Sequence, residues 1–211
     1  MFPLYAILDT ALARERGYDP VDLARRFFDG GAQLLQLRAK DAPAGQFLDW
    51  ADAICAAAAP CGATVIVNDR VDIALMAGAA GVHVGQDDMP PDAVRRLAPA
   101  PFLIGRSTHT LAQIADAAAE PVDHLAIGPV FGTTSKDTGY QPVGLAMVAQ
   151  AARNGAGHPV VAIGGITLER APSAIEAGAA SVAVIADLLS TGDPGGRIRQ
   201  YLKALGLWPR A

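Results

Sequence analysis

Eight short apolar runs recur along the chain: LYAIL (4–8), LLQL (34–37), TVIV (64–67), GVHV (81–84), FLIG (102–105), HLAI (124–127), PVVAI (159–163) and SVAVI (181–185). Their richness in Val, Ile and Leu and their brevity predict buried strands. Between them lie alanine-rich segments with helical spacing, among them DPVDLARRFFDGG, PAGQFLDWADAICAAAA, LAQIADAAAE and LERAPSAIEAGAA. Several end in glycine, as helix C-termini prefer. Strand and helix therefore alternate throughout.

Strands that are apolar on both faces and joined by crossover helices predict a parallel sheet with helices outside it. Eight such units in 211 residues suit a closed (β/α)8 TIM barrel, an α/β fold in a single domain over residues 1–211. The alternative is a doubly wound open sheet. MAGAAGVHV (76–84) and EAGAASVAV (176–184) resemble each other, as a glycine at a helix end followed by a new strand should in a barrel. No linker, low-complexity stretch or charge run marks a second domain.

Composition narrows the function classes. A net charge of −4 gives no electrostatic footprint for nucleic acid or an anionic membrane. Cys55 and Cys61 are too few for a disulfide framework and have no His or Cys cluster nearby for zinc; both are expected to be packing residues in a reducing cytoplasm. The start MFPLYAILDT lacks a basic n-region and meets Asp9 at once, unlike a signal peptide. The longest uncharged stretch, 53–68, is broken by Pro60 and Gly62 and is too short to span a bilayer. A cytoplasmic enzyme is the expectation.

In a barrel of this type the residues just after each strand line the active-site face. Those positions hold Gln36, Arg38 and Lys40 after the second run, Asn68, Asp69 and Arg70 after the third, and Gln86, Asp87 and Asp88 after the fourth. Arg106, Ser107 and His109 follow the fifth, VFGTTSKDTGY (130–140) the sixth, Gly164 and Gly165 the seventh, and Ala186 and Asp187 the eighth. Loops at the other end are mostly Gly, Ala and Pro.

Asp69 and Asp88 end adjacent strands, so their carboxylates can approach one Mg²⁺, which takes one or two carboxylates and leaves its other positions to water and phosphate. Arg38, Lys40 and Lys136 offer positive charge to a polyphosphate. The plainer reading of Asp69, as N-cap of the helix VDIALMAG, leaves Asp88 and three cations unexplained. Thr133, Thr134 and Ser135 add hydroxyls beside Lys136, and Gly164-Gly165 lets backbone approach a ligand where this fold usually binds phosphate. Two anion sites result: one metal-assisted near strands two to four, one metal-free near strands seven and eight.

Of the histidines, His83 lies within a strand and is expected to be a satisfied buried side chain, while His124 and His158 sit away from the rim. His109 is the one candidate acid or base. GxGxxG and GxxxxGK[ST] are absent, which gives no support to dinucleotide or Walker-type nucleotide binding.

QLRAK (36–40), VNDR (67–70), GVHVGQDD (81–88), GRSTH (105–109), GPVFGTTSK (128–136) and AIGGI (162–166) together resemble, in order and spacing, the thiamine-phosphate synthase family. The resemblance runs from the first strand to the eighth. It implies a TIM barrel transferase of thiamine biosynthesis that joins hydroxymethylpyrimidine diphosphate to thiazole phosphate and releases pyrophosphate. By the same resemblance, Asp69 and Asp88 hold Mg²⁺ on the pyrophosphate, and Gln36, Arg38, Lys40, Asn68, Ser107 and Lys136 contact the pyrimidine diphosphate. Thr133, Ser135, Gly165, Ile185 and Ala186 fall to the thiazole phosphate, and Thr134 is a further expected substrate-binding residue.

Three departures stand out. Ser135 replaces a frequent threonine and keeps the hydroxyl. Ala186 replaces a usual serine, leaving a backbone amide for any phosphate contact. NDRVDIAL and GRSTHT are also similar to the thiazole tautomerase, an isomerase with a histidine where His109 stands; that branch tends to lack the aspartates and lysines present here at 69, 88, 40 and 136. A silent thiamine-precursor binding protein is the third reading. The expected partners are small-molecule substrates and a second copy in a homodimer, with 130–140 as the candidate lid.

Overall fold

The computed structural model describes residues 1–132 and 139–207. Its strands are β1 (Leu4–Asp9), β2 (Leu34–Arg38), β3 (Thr64–Asn68), β4 (Gly81–Val84), β5 (Leu103–Thr108), β6 (His124–Ile127), β7 (Val160–Ile163) and β8 (Ser181–Val184). Each pairs in parallel with the next, and β8 returns to β1, closing the barrel that the alternation predicts.

The helices are α1 (Thr10–Glu15), α2 (Pro20–Asp29), α3 (Ala44–Ala58), α4 (Val71–Met76), α5 (Pro91–Leu97), α6 (Leu111–Ala118), α7 (Gly144–Asn154), α8 (Ala171–Glu176) and α9 (Pro194–Ala204). Local chemistry sets several starts. Asp19 accepts hydrogen bonds from the N–H groups of Val21 and Asp22, and Pro20 supplies a pre-set first helical residue to α2. Thr110 caps α6 through Gln113 in the same way. Among the described residues no helix is long and apolar enough to cross a membrane.

The strands read as apolar on both faces because each face has its own core. Leu35, Leu37, Val65, Val67, Val82 and Val84 point outward into a layer shared with the helices, while Tyr5, Ile7, Leu34, Ile66, Ala126, Val161 and Ala183 fill the interior. The alternation places Gln36, Asn68 and His83, all buried, on the interior side as well. Polar side chains in that space must find partners, since burying an unbonded polar group costs about 1–3 kcal/mol by protein mutational data.

Two sequence expectations need correction. The fifth strand runs on to Thr108, so Ser107 belongs to the strand rather than the loop after it. Its neighbour Arg106 faces out, where its guanidinium donates to the Gly85 carbonyl and lies 3.5 Å from Glu120; it is not a rim cation. Cys55 packs against the outer core, but Cys61 is exposed, its thiol donating to the Ala58 carbonyl in a 3-10 turn at 3.1 Å.

Candidate active site

The segments after β2, β3 and β4 bring opposite charges together. Lys40 Nζ lies 2.6 Å from Asp69 Oδ2, and the Asp88 carboxyl stands near enough to act electrostatically on Asp69. Asp88 Oδ2 is itself held by the Gly85 N–H at 2.7 Å. Asp69 has φ 63°, in the left-handed region that few residues other than glycine adopt and that aspartate enters more readily than most. A backbone held in such a region marks a site whose surroundings over-determine it.

Asp69 is not a helix cap. The N-cap of α4 is Arg70, with no side-chain cap bond, and Arg70 turns away to grip Asp72 through Nε and Nη2 at 2.8 and 2.5 Å. Burial lifts the Asp69 carboxyl above the ordinary carboxylate range; the Lys40 bond opposes this and the neighbouring Asp88 adds to it. Two carboxyls driven against each other in a half-buried corner want a proton or a cation between them.

That donor set suits Mg²⁺. Two carboxylates from adjacent strands leave the remaining positions to water and ligand oxygens, as Mg²⁺ prefers. Among the described residues no three His, Cys, Asp or Glu side chains gather at one point, so an all-protein cage is not formed there.

Beside this corner, the other predicted contacts converge on the interior. Gln36, Arg38, Asn68, His83 and Ser107 line a small cavity of about 20 Å³. Arg38 is held by Asp9, a pairing between the C-terminal ends of adjacent β1 and β2. Asp9 also caps α1 by accepting the Leu12 N–H at 3.0 Å. Gln36 donates to the Tyr5 hydroxyl at 3.0 Å. Asp9 was not among the predicted site residues; its signal was a carboxylate ending the first strand.

A larger cavity of about 460 Å³ opens next to it, walled by Ser107, His109, Gly164, Gly165, Ile185 and Ala186, with Arg16 and Arg170 also on its lining. Ser107, Ile163 and Ile185 border both spaces. The glycines are required by packing: a Cβ at Gly164 would lie 2.5 Å from Pro129 Cα, and one at Gly165 would lie 2.4 Å from the Gly132 carbonyl oxygen. Their φ values of 98° and 62° would strain any other residue. The loop after β6 packs closely against both glycines.

At the far wall, Asp187 anchors the segment carrying Ile185 and Ala186. Its Oδ2 accepts from Arg197 Nη2 at 2.7 Å, from the Tyr201 hydroxyl at 2.5 Å and from the Leu168 N–H at 3.2 Å. Burial, reinforced by that carboxylate, pushes the Tyr201 phenol far up. His109 donates through Nδ1 to the Gly128 carbonyl at 2.6 Å and stacks on Tyr140 with ring centroids 3.9 Å apart.

Thr133, Thr134, Ser135 and Lys136, and most of the candidate lid with them, lie outside the described residues. Arg16 and Arg170 escaped the sequence reading because they flank helices, Arg16 as the C-cap of α1 and Arg170 as the N-cap of α8, rather than coming immediately after a strand.

The architecture and rim define a (β/α)8-barrel enzyme with polar and charged side chains gathered at its strand C-termini. The family profile for thiamine monophosphate synthase matches residues 4–188. A thiamine-phosphate synthase of Anaeromyxobacter dehalogenans is 48% identical over 178 residues, covering 84% of this chain and 79% of that protein. One of Koribacter versatilis is 42% identical over 207 residues, 96% of this chain and 95% of the relative. Among solved structures, thiamine phosphate pyrophosphorylase from Pyrococcus furiosus superposes with a TM-score of 0.88 at 29% identity, covering 97% of this chain and 96% of that one. The chain belongs to the thiamine monophosphate synthase family and is a transferase.

Proposed function

We propose that the protein joins hydroxymethylpyrimidine diphosphate to thiazole phosphate, giving thiamine phosphate and pyrophosphate, with Mg²⁺ as cofactor. Family membership supports the reaction, and the convergence of Lys40, Asp69 and Asp88 at the ends of adjacent strands carries the metal-assisted reading.

Asp69 and Asp88 are the residues that would hold the ion, which when bound neutralises charge on the departing pyrophosphate. Arg38, Lys40 and Lys136 add fixed positive charge around the same leaving group. Gln36, Asn68 and Ser107 orient the pyrimidine diphosphate. Thr133, Thr134, Ser135 and the backbone at Gly165, Ile185 and Ala186 hold the thiazole phosphate. The carbon–oxygen bond to the diphosphate breaks with its electron pair leaving on pyrophosphate, and the thiazole nitrogen lone pair forms the new carbon–nitrogen bond. The aminopyrimidine ring supports the positive charge between the two events. No protein nucleophile is required, and bringing both substrates to one wall supplies much of the acceleration.

One observation favours a second reading. His109 lines the larger cavity, where a histidine could isomerise a thiazole without metal. That reading leaves the Lys40–Asp69–Asp88 cluster without a purpose. Purified protein given the two substrates separates them: the synthase reading expects thiamine phosphate with Mg²⁺ and none with excess chelator. A protein that only binds precursors would show neither product.

A further inference from the structure

Beneath Ser107 the barrel interior holds two imidazoles in contact. His83 Nε2 lies 2.9 Å from Ser107 Oγ, and His83 Nδ1 lies 3.3 Å from His124 Nε2, with ring centroids 5.4 Å apart. Both side chains are buried, at 6% and 4% exposure. The pair fits because residue 105 has no side chain: a Cβ there would stand 2.2 Å from His124 Nε2 and 2.3 Å from His83 Nδ1. Tyr5 packs edge-on against His124 at 5.9 Å and accepts the Gln36 hydrogen bond, so the pair stands in a polar column at the foot of the site. An aliphatic pair would fill the same space without the desolvation cost of two imidazoles.

The chemistry of the contact restricts the protons. With both rings neutral, the form in which burial holds His124, each contact in the line carries one hydrogen. If that hydrogen sits on His83 Nδ1, then His83 Nε2 accepts the Ser107 O–H and the serine presents only lone pairs to the cavity. If it sits on His124 Nε2, then His83 Nδ1 accepts, His83 Nε2–H donates to Ser107 Oγ, and the serine O–H is turned toward the cavity. Only the second arrangement offers a donor to an anionic oxygen.

We infer that His124 and His83 are positioning residues: His124 donates to His83, His83 donates to Ser107, and the serine hydroxyl is thereby aimed at the diphosphate side of the site. This rests on the proposed assignment of Ser107 to the pyrimidine diphosphate. No proton moves during turnover; the pair holds one neutral tautomer.

Two-bond ¹H–¹⁵N correlation spectra of the imidazoles in the full-length protein read the tautomer directly, without turnover. The inference expects His83 with hydrogen on Nε2, and a shift of that signal when inorganic pyrophosphate and Mg²⁺ are added, lost in Ser107→Ala. Hydrogen on Nδ1 of His83, or a pyrophosphate response unchanged in Ser107→Ala, would overturn it. Kinetics give the second arm. His124→Phe keeps a ring but removes the donor, and should raise KM for the pyrimidine diphosphate about tenfold while changing KM for the thiazole phosphate less than about twofold. His124→Gln, which retains an N–H, should recover most of the loss. Equal effects on both KM values, or no effect, contradict the positioning role. If wild type makes no thiamine phosphate at all, the reaction assignment fails, and the tautomer spectra still decide the arrangement.

Discussion

Lys40 Nζ sits 2.6 Å from Asp69 Oδ2, a pair that joins the loop after β2 to the residue after β3 and leaves Asp88 as the third member of the group. Among the described residues, one cation facing two ionised carboxyls is short of positive charge by one unit. That deficit is the electrostatic reason to place a divalent ion there.

Removing one of the two carboxylates tests it. Asn tolerates the left-handed backbone at position 69, so Asp69→Asn changes charge with little change of shape. Because the folded state raises the Asp69 carboxyl, its ionised form opposes folding as pH rises through the folded value. Asp69→Asn should therefore melt higher than wild type at neutral pH without metal, while losing about 100-fold or more in kcat/KM. Calorimetry with and without Mg²⁺ checks this: wild type should gain several degrees at saturating metal, on the order of 2–3 kcal/mol at 100 times Kd, and the variant should gain little.

The Arg38–Asp9 pair carries a second prediction. Asp9→Asn keeps an oxygen to cap α1 but leaves the Arg38 guanidinium unneutralised in a mostly buried position. The expected loss is about 3 kcal/mol, with a further loss of about 1 kcal/mol in Asp9→Ala from the missing cap. Urea unfolding of the two variants against wild type measures both, and equal stability of all three would show the pair to be incidental.

Acid should weaken the protein through His124. Burial depresses its pKa from 6.5 to about 4, against a smaller upward pull from Asp123, with His83 and Tyr5 the other titratable groups packed on it. The unfolded chain binds the proton first, so stability is complete above about pH 6.5 and falls as pH drops toward 4. The shift corresponds to about 3 kcal/mol. Stability against pH in His124→Phe should lose that part of the slope between these limits; an unchanged slope would assign the acid sensitivity elsewhere.

Gly165 sits against the loop that follows β6. Gly165→Ala places a methyl 2.4 Å from the Gly132 carbonyl oxygen at a φ of 62°, so either the loop moves or the strand end does. A loss of about 1–3 kcal/mol and a raised KM for the thiazole phosphate, with the pyrimidine diphosphate less affected, are expected from unfolding curves and initial rates.

The barrel was legible because its strands are buried on both faces and so read as unbroken apolar runs, seven of which reach within one residue of the observed ends on either side. β5 was not, because Arg106 and Ser107 look like loop residues. Alternation sends the first outward to Gly85 and the second inward to His83, which only the sheet register reveals. The rim residues Asp69, Asp88 and Lys40 were legible from their place after strands. Asp9, His124 and the space left by Gly105 were not, since their importance comes from neighbours 19 or more positions away. Cys61 misled because composition suggests burial while the turn after α3 exposes it.

The central claim is metal-assisted joining of the two substrates. The most direct test measures pyrophosphate release and thiamine phosphate formation by the purified protein, with Mg²⁺ and with excess chelator, beside Asp88→Ala. The account predicts turnover with Mg²⁺ only, and its loss in a variant that stays folded. Undiminished turnover in chelator, or in Asp88→Ala, would contradict it.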